Sequence, residues 1–162
     1  MRRSIPALIA IVSVAVAGQS TNREAPAAAP VPEQIAKART VFMSNDGADP
    51  ALQLFSGGDN RPYNSFYAAM KSWGRYELTP APAGSDLVFQ LRFVNRPTYD
   101  GTLTRSDPQL VLTIRDPSTR VVLWRLTVHV KQKAGLQATR DKSFEEAITS
   151  LVNDVKALAA TQ

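Results

Sequence analysis

Cysteine is absent from all 162 residues, and histidine occurs once, at His129. The first absence excludes disulfides, thiolate metal sites, a cysteine nucleophile and a lipid anchor on a cysteine at a cleavage site. The second excludes any metal site that needs two imidazoles, HExxH included. A Ser–His–Asp triad would have to use His129, yet no G-x-S-x-G elbow is present to offer a serine. Phosphate-loop and dinucleotide fingerprints are missing as well. The nearest stretch, Phe55-Ser56-Gly57-Gly58-Asp59-Asn60-Arg61-Pro62, matches neither G-x-x-x-x-G-K-[ST] nor G-x-G-x-x-G. Charge of one sign is not concentrated either: 19 Lys and Arg stand against 14 Asp and Glu, a net of +5. That balance suits an anionic partner but lacks the clustered basic element of a nucleic-acid binder.

No apolar run is long enough to span a bilayer. The longest, Ile5 to Val16, has twelve residues; as a helix it would rise about 18 Å against a hydrocarbon core of about 30 Å. With Arg2 and Arg3 before it and Ala15-Val16-Ala17 after it, the run is expected to be a secretory signal occupying residues 1–17. Its removal leaves 17 basic against 14 acidic residues, or +3. The expected location is therefore periplasmic or secreted, with no stable membrane span after cleavage. Residues 18–32 are rich in Ala and Pro and read as a disordered linker. Residues 33–162 have the length of one domain.

Periodicity assigns the elements of that domain. A short helical turn is predicted from Glu33 to Arg39, and a strand over Thr40–Ser44, followed by turn formers from Asn45 to Pro50. A helix is predicted from Arg61 or Pro62 to Trp73, with Asp59 or Asn60 as N-cap and Gly74 past its end. Tyr63, Phe66, Met70 and Trp73 form its apolar stripe. Arg75–Thr79 reads as a short strand. From Leu87 the period becomes two, predicting strands over Leu87–Phe93, Leu110–Arg115 and Val122–Lys131. Asp116-Pro117-Ser118-Thr119 suits the turn between the last two. Ser143 and Glu146 are spaced as a capping box. The stripe of Phe144, Ile148, Leu151, Val152, Val155 and Leu158 follows. One-sided strands and two amphipathic helices bury their apolar faces only against each other. The predicted fold class is α+β: a two-layer sandwich with a mostly antiparallel sheet of about five strands and two helices on one face.

Four segments carry a resemblance: YNSFYAAMKSWGRYEL (Tyr63–Leu78), SDLVFQLRF (Ser85–Phe93), LTIRDPSTRVVLW (Leu112–Trp124) and TRDKSFEEA (Thr139–Ala147). They resemble small exported bacterial proteins of unknown function. The layout is similar to envelope α/β domains with a helix, an Asp-opened strand, an Asp…Trp hairpin and a C-terminal helix. The resemblance spans most of residues 40–158. It implies export and a compact domain, and brings no catalytic residues, cofactor or metal with it.

Among candidate sites, the polar face of the sheet stands out. Arg92, Arg115, Arg125, His129 and Lys131 are expected on one face as an anion-binding platform; the alternative is a solvated face whose charges discourage aggregation. The leading expectation is a non-enzymatic domain that binds or assembles with an anionic envelope component or envelope protein. A second reading is a small secreted hydrolase using Asp86, Asp100, Asp107 or Asp116 as acid and base. A third is an assembly subunit with a dimer seam along the edge strand or Trp124. The Asn45, Asp46, Asp49, Asp59 and Asn60 oxygens could together suit calcium, although they do not fit an EF-hand and are ordinary turn residues. The loop Asn95–Pro108, with Tyr99-Asp100-Gly101, could border a site.

Overall fold

The computed structural model describes residues 29–99, 101–132 and 135–161. The expected signal segment, residues 18–28 of the linker, and Asp100 lie outside the described residues. The elements are α1 (Glu33–Lys37), β1 (Thr40–Ala48), a 3-10 helix (Pro50–Leu54), α2 (Arg61–Trp73), β2 (Glu77–Thr79), β3 (Leu87–Asn95), β4 (Thr98–Tyr99), β5 (Thr104–Arg105), β6 (Pro108–Arg115), β7 (Val122–His129) and α3 (Gln137–Ala160).

Five strands form one sheet in the order β2-β1-β3-β6-β7. The two-layer α+β architecture is the one the periodicity implied, but the sheet is mixed. β1 runs parallel to both β2 and β3, whereas β3–β6 and β6–β7 are antiparallel. Parallel neighbours require a crossover, and α2 supplies it between β1 and β2. β4 and β5 pair as a separate ribbon. It prolongs the β3–β6 hairpin, because Arg96 N–H donates to the Asp107 carbonyl just beyond the last sheet pair, Asn95 with Pro108.

The core lies between the inner face of the sheet and the helices. Val41, Met43, Leu87, Phe89, Leu91, Phe93, Leu110, Leu112 and Ile114 are buried there, as the alternation requires. Phe66 and Met70 of α2 meet them, as do Phe144, Ile148, Leu151 and Val155 of α3. Phe55, Phe93 and Phe144 form an aromatic triangle with centroids 5.4–6.4 Å apart. Gly74 ends α2 at φ 68°, its N–H donating to the Met70 carbonyl, which is the left-handed stop foreseen for it.

Three expectations need correction. The turn formers after Ser44 do not end β1. Asn45 pairs with Leu91 and Ala48 with Phe93, so Asp46 and Gly47 form a bulge inside a longer strand. Gly47, at φ 87°, donates its N–H to Asn45 Oδ1. Ser143 is no N-cap. It is buried within α3, its hydroxyl donating to the Thr139 carbonyl, and the helix begins six residues earlier at Gln137. The first turn has no apolar stripe because its polar groups do the anchoring. Arg140 Nε and Gln137 Nε2 both donate to the Leu54 carbonyl. Asn60 holds the N-cap position of α2 but makes no side-chain cap, since its Oδ1 accepts instead from Asn45 Nδ2 at 2.9 Å.

Candidate anion-binding face

Strand register decides which side chains share the face of the sheet opposite the long helices. Pairing of β1, β3, β6 and β7 sets out cross-strand rows: Phe42, Val88, Arg115 and Val122; Ser44, Gln90, Thr113 and Arg125; Arg92, Val111 and Thr127; Val94, Gln109 and His129. Arg92, Arg115, Arg125 and His129 therefore share the outer face, as the period of two predicted. Arg115 and Arg125 are diagonal neighbours, about 7–8 Å apart at the backbone. Arg92 and Arg125 lie two strands and two residues apart, about 12 Å at sheet spacings. Lys131 lies past the end of β7, which stops at His129. With Val128, His129, Ser143 and Glu146 it lines a cleft of about 150 Å³ between β7 and α3, beyond the His129 end of the face.

Arg92, Arg115, Arg125 and His129 are not equivalent. Arg115 Nε donates to Gln90 Oε1 at 2.5 Å, and its Nη1 donates to the Arg120 carbonyl. That guanidinium is fixed in place with its remaining N–H groups still to be used. Arg92 lies 3.8 Å from Asp49, at the outer limit of an ion pair, with half of its side chain in solvent. His129 Nδ1 sits 2.7 Å from Asp107 Oδ1, so the imidazole has a carboxylate partner. Arg125 is exposed and makes no hydrogen bond or ion pair among the described residues. The face thus centres on Arg125 and Arg115, with Arg92 at one side. Gln90 and Thr113, which the sequence reading did not single out, fill the row between them.

The carboxylates proposed for acid–base chemistry are occupied elsewhere. Asp86 Oδ2 accepts from Arg39 N–H at 2.7 Å and Thr40 N–H at 2.9 Å, while Asp86 N–H donates back to Thr40 Oγ1. This clamp ties the start of β3 to the start of β1. Those two backbone donors hold the Asp86 carboxyl below its usual range. Asp116 accepts from the hydroxyl and N–H of Ser118 and the N–H of Thr119, which lowers it to about 2. Burial pushes the Asp107 carboxyl up, but hydrogen bonds from His129 and Gln109 outweigh this and leave it lowered. None of the three is poised as a proton donor near neutral pH, which would need a raised value. Asp100 lies outside the described residues.

The Phe55–Pro62 stretch fastens α2 to α3. Asp141 accepts from both the N–H and the hydroxyl of Ser56 at 2.8 Å. Arg61 reaches Asp141 at 2.6 Å, Glu145 at 2.9 Å and the Ser56 carbonyl at 2.7 Å. Its guanidinium carbon lies 4.4 Å from the Phe144 ring centroid. Gly57, at φ 95°, has no room for a Cβ, which would fall 2.9 Å from Arg61 Cδ. The calcium expectation also changes: Asn45 and Asn60 bond each other, and Asp49 Oδ2 accepts from Asn95 N–H. Among the described residues, no group of three acidic or histidine side chains is placed to hold a metal ion.

No family model matches the chain, and no curated protein matches its sequence. Solved structures do share its fold. Protein XCC0632 from Xanthomonas campestris, of the DUF330 family, superposes with a TM-score of 0.51 at 15% identity, over 80% of this chain and 87% of that one. The hypothetical protein CT253 from Chlamydia trachomatis gives 0.51 at 9% identity, over 77% of this chain and all of that one. The neighbours are uncharacterised bacterial proteins, in keeping with the resemblance in the sequence. At such identities the likeness concerns the fold alone. Among the described residues, no helix is long and apolar enough to cross a membrane.

Proposed function

We propose that this chain is an exported envelope protein whose domain is a non-enzymatic binding module for an anionic envelope component. The observation that carries the reading is the outer sheet face, which Arg115, Arg125 and Arg92 share with Gln90 and Thr113. Arg125 has no partner among the described residues, Arg115 is pre-oriented by Gln90, and Arg92 is only loosely held by Asp49. A fixed guanidinium beside a free one suits phosphate or carboxylate groups, which accept two parallel N–H bonds. Export rests on the signal-like residues 1–17.

The test is retention on phosphocellulose across a salt gradient. The Arg92→Glu/Arg125→Glu double variant is expected to keep its circular dichroism and thermal transition, because both side chains are exposed. It is expected to elute at markedly lower salt than the wild type. Co-elution of the two proteins would overturn the reading.

A further inference from the structure

We propose that β7 pairs with β7 of a second copy of this chain, as antiparallel strands about a two-fold axis through Leu126. The inference rests on the backbone of β7 and is independent of the anion-binding reading.

The sheet has two edges, and only one of them is guarded. At the first, β2 is three residues long and pairs only with Thr40 to Phe42. Beyond it, Tyr63 hydroxyl donates to the Met43 carbonyl at 3.4 Å, and the bulge at Asp46 and Gly47 breaks the line. At the other edge, β7 is eight residues long, with no proline and no inward charge. Its one irregularity lies at its start, where the pairing shifts between Arg115 and Ile114. Short strands, bulges and inward charges are the usual protections of an edge.

The inner side chains of β7 also want a neighbour. Leu110, Leu112 and Ile114 on β6 are fully buried, but their partners Val128, Leu126 and Trp124 on β7 are only partly buried. Backbone parity supplies the next argument. Val130 N–H donates to the Pro108 carbonyl, so the even positions of β7 turn their hydrogen-bonding groups toward β6. The N–H and C=O groups of Arg125, Thr127 and His129 consequently face the free edge.

Two-fold axes through Arg125 and through Leu126 use the strand equally, and the one through Leu126 gives the better side-chain pairs. It sets Arg125 opposite Thr127, Leu126 opposite its own copy, Trp124 opposite Val128 and Leu123 opposite His129. No like charges oppose each other, and the apolar row is completed across the seam. An axis through Arg125 would oppose two arginines, and one through Thr127 would oppose Arg125 to His129 while shortening the ladder.

Because the natural chain has no cysteine, single cysteines report the register directly. Leu126 faces its own copy as a non-hydrogen-bonded pair with backbones about 4.5 Å apart, within disulfide reach. Thr127 lies on the diagonal from its own copy, at about 7–8 Å, beyond that reach. Under mild oxidation the full chain carrying Leu126→Cys is expected to become a covalent dimer, and the one carrying Thr127→Cys to stay monomeric. Sedimentation equilibrium of the unmodified chain is expected to show a monomer–dimer equilibrium. Thr127→Pro, which removes an N–H aimed at the free edge, is expected to weaken it at least tenfold. Cross-linking of Thr127→Cys in place of Leu126→Cys, or a wild type that stays monomeric at every concentration, would overturn the proposal.

Discussion

Truncation of Phe144 to alanine is expected to destabilise the domain by about 3–5 kcal/mol, lowering Tm by on the order of 10–20 °C. Phe144 is fully buried and contacts both Phe55 and Phe93 in the aromatic triangle. It is also the first apolar residue of the α3 stripe, at the level where the polar fastening begins. Removing its ring leaves a cavity under Arg61, whose guanidinium lies against that ring. Phe144→Leu separates the two contributions, because it keeps most of the apolar volume and loses the cation–π contact. Urea unfolding of both variants checks this: a Phe144→Ala loss below about 1 kcal/mol would mean that the triangle does not pack as described.

The second large effect is expected at Arg61. Its side chain is only 12% exposed, while its partners Asp141 and Glu145 are 22% and 54% exposed. A buried ion pair broken from one side costs several kcal/mol, and a solvated one less than about 1. Arg61 lies between these limits, and Arg61→Ala is expected to cost about 2 kcal/mol. The same site gives a pH dependence with a definite sign. The Ser56 N–H, then Arg61 and the Ser56 hydroxyl, hold the Asp141 carboxyl well below the usual carboxylate range. A carboxyl lowered in the folded state stabilises fully above its unfolded value of about 4, and that contribution is lost as pH falls from there toward the folded value. Stability should therefore be flat above about pH 5 and decline below pH 4. Asp141→Asn is expected to make the decline shallower. Chemical unfolding at a series of pH values checks it, and equal slopes for the two proteins would contradict the role given to Asp141.

These two residues mark where the sequence was legible. Phe144 is visible in the stripe Phe144, Ile148, Leu151, Val152 and Val155, since helical spacing is a local property. Strands β3, β6 and β7 and the Asp116 turn are legible for the same reason. Arg61 carries no such mark, because its partners lie 80 and 84 residues away. Asp141 lies in the polar start of α3, ahead of the capping-box spacing of Ser143 and Glu146 that set the expected helix start. The parallel pairing of β1 is equally hidden. Its place between β2 and β3 is set by the crossover through α2 and by the Asp86 clamp, not by its own alternation. On the candidate face, parity was enough to align Arg92, Arg115, Arg125 and His129. The pairings that rank them, with Gln90, Asp49 and Asp107, depend on register and loop closure. Lys131 follows the last residue of β7, His129, although the alternation runs on through the buried Val130.

The measurement closest to the central claim is a residue-resolved titration of the isotopically labelled chain with hexametaphosphate, followed through backbone amide shifts. Binding at the open sheet face predicts salt-sensitive shifts concentrated in the rows of Gln90, Thr113 and Arg125 and of Arg115 and Val122. The amides around Lys142 and Lys156 on α3 should stay in place. Shifts centred on α3, or spread evenly over every exposed lysine and arginine, would contradict a binding function for this face.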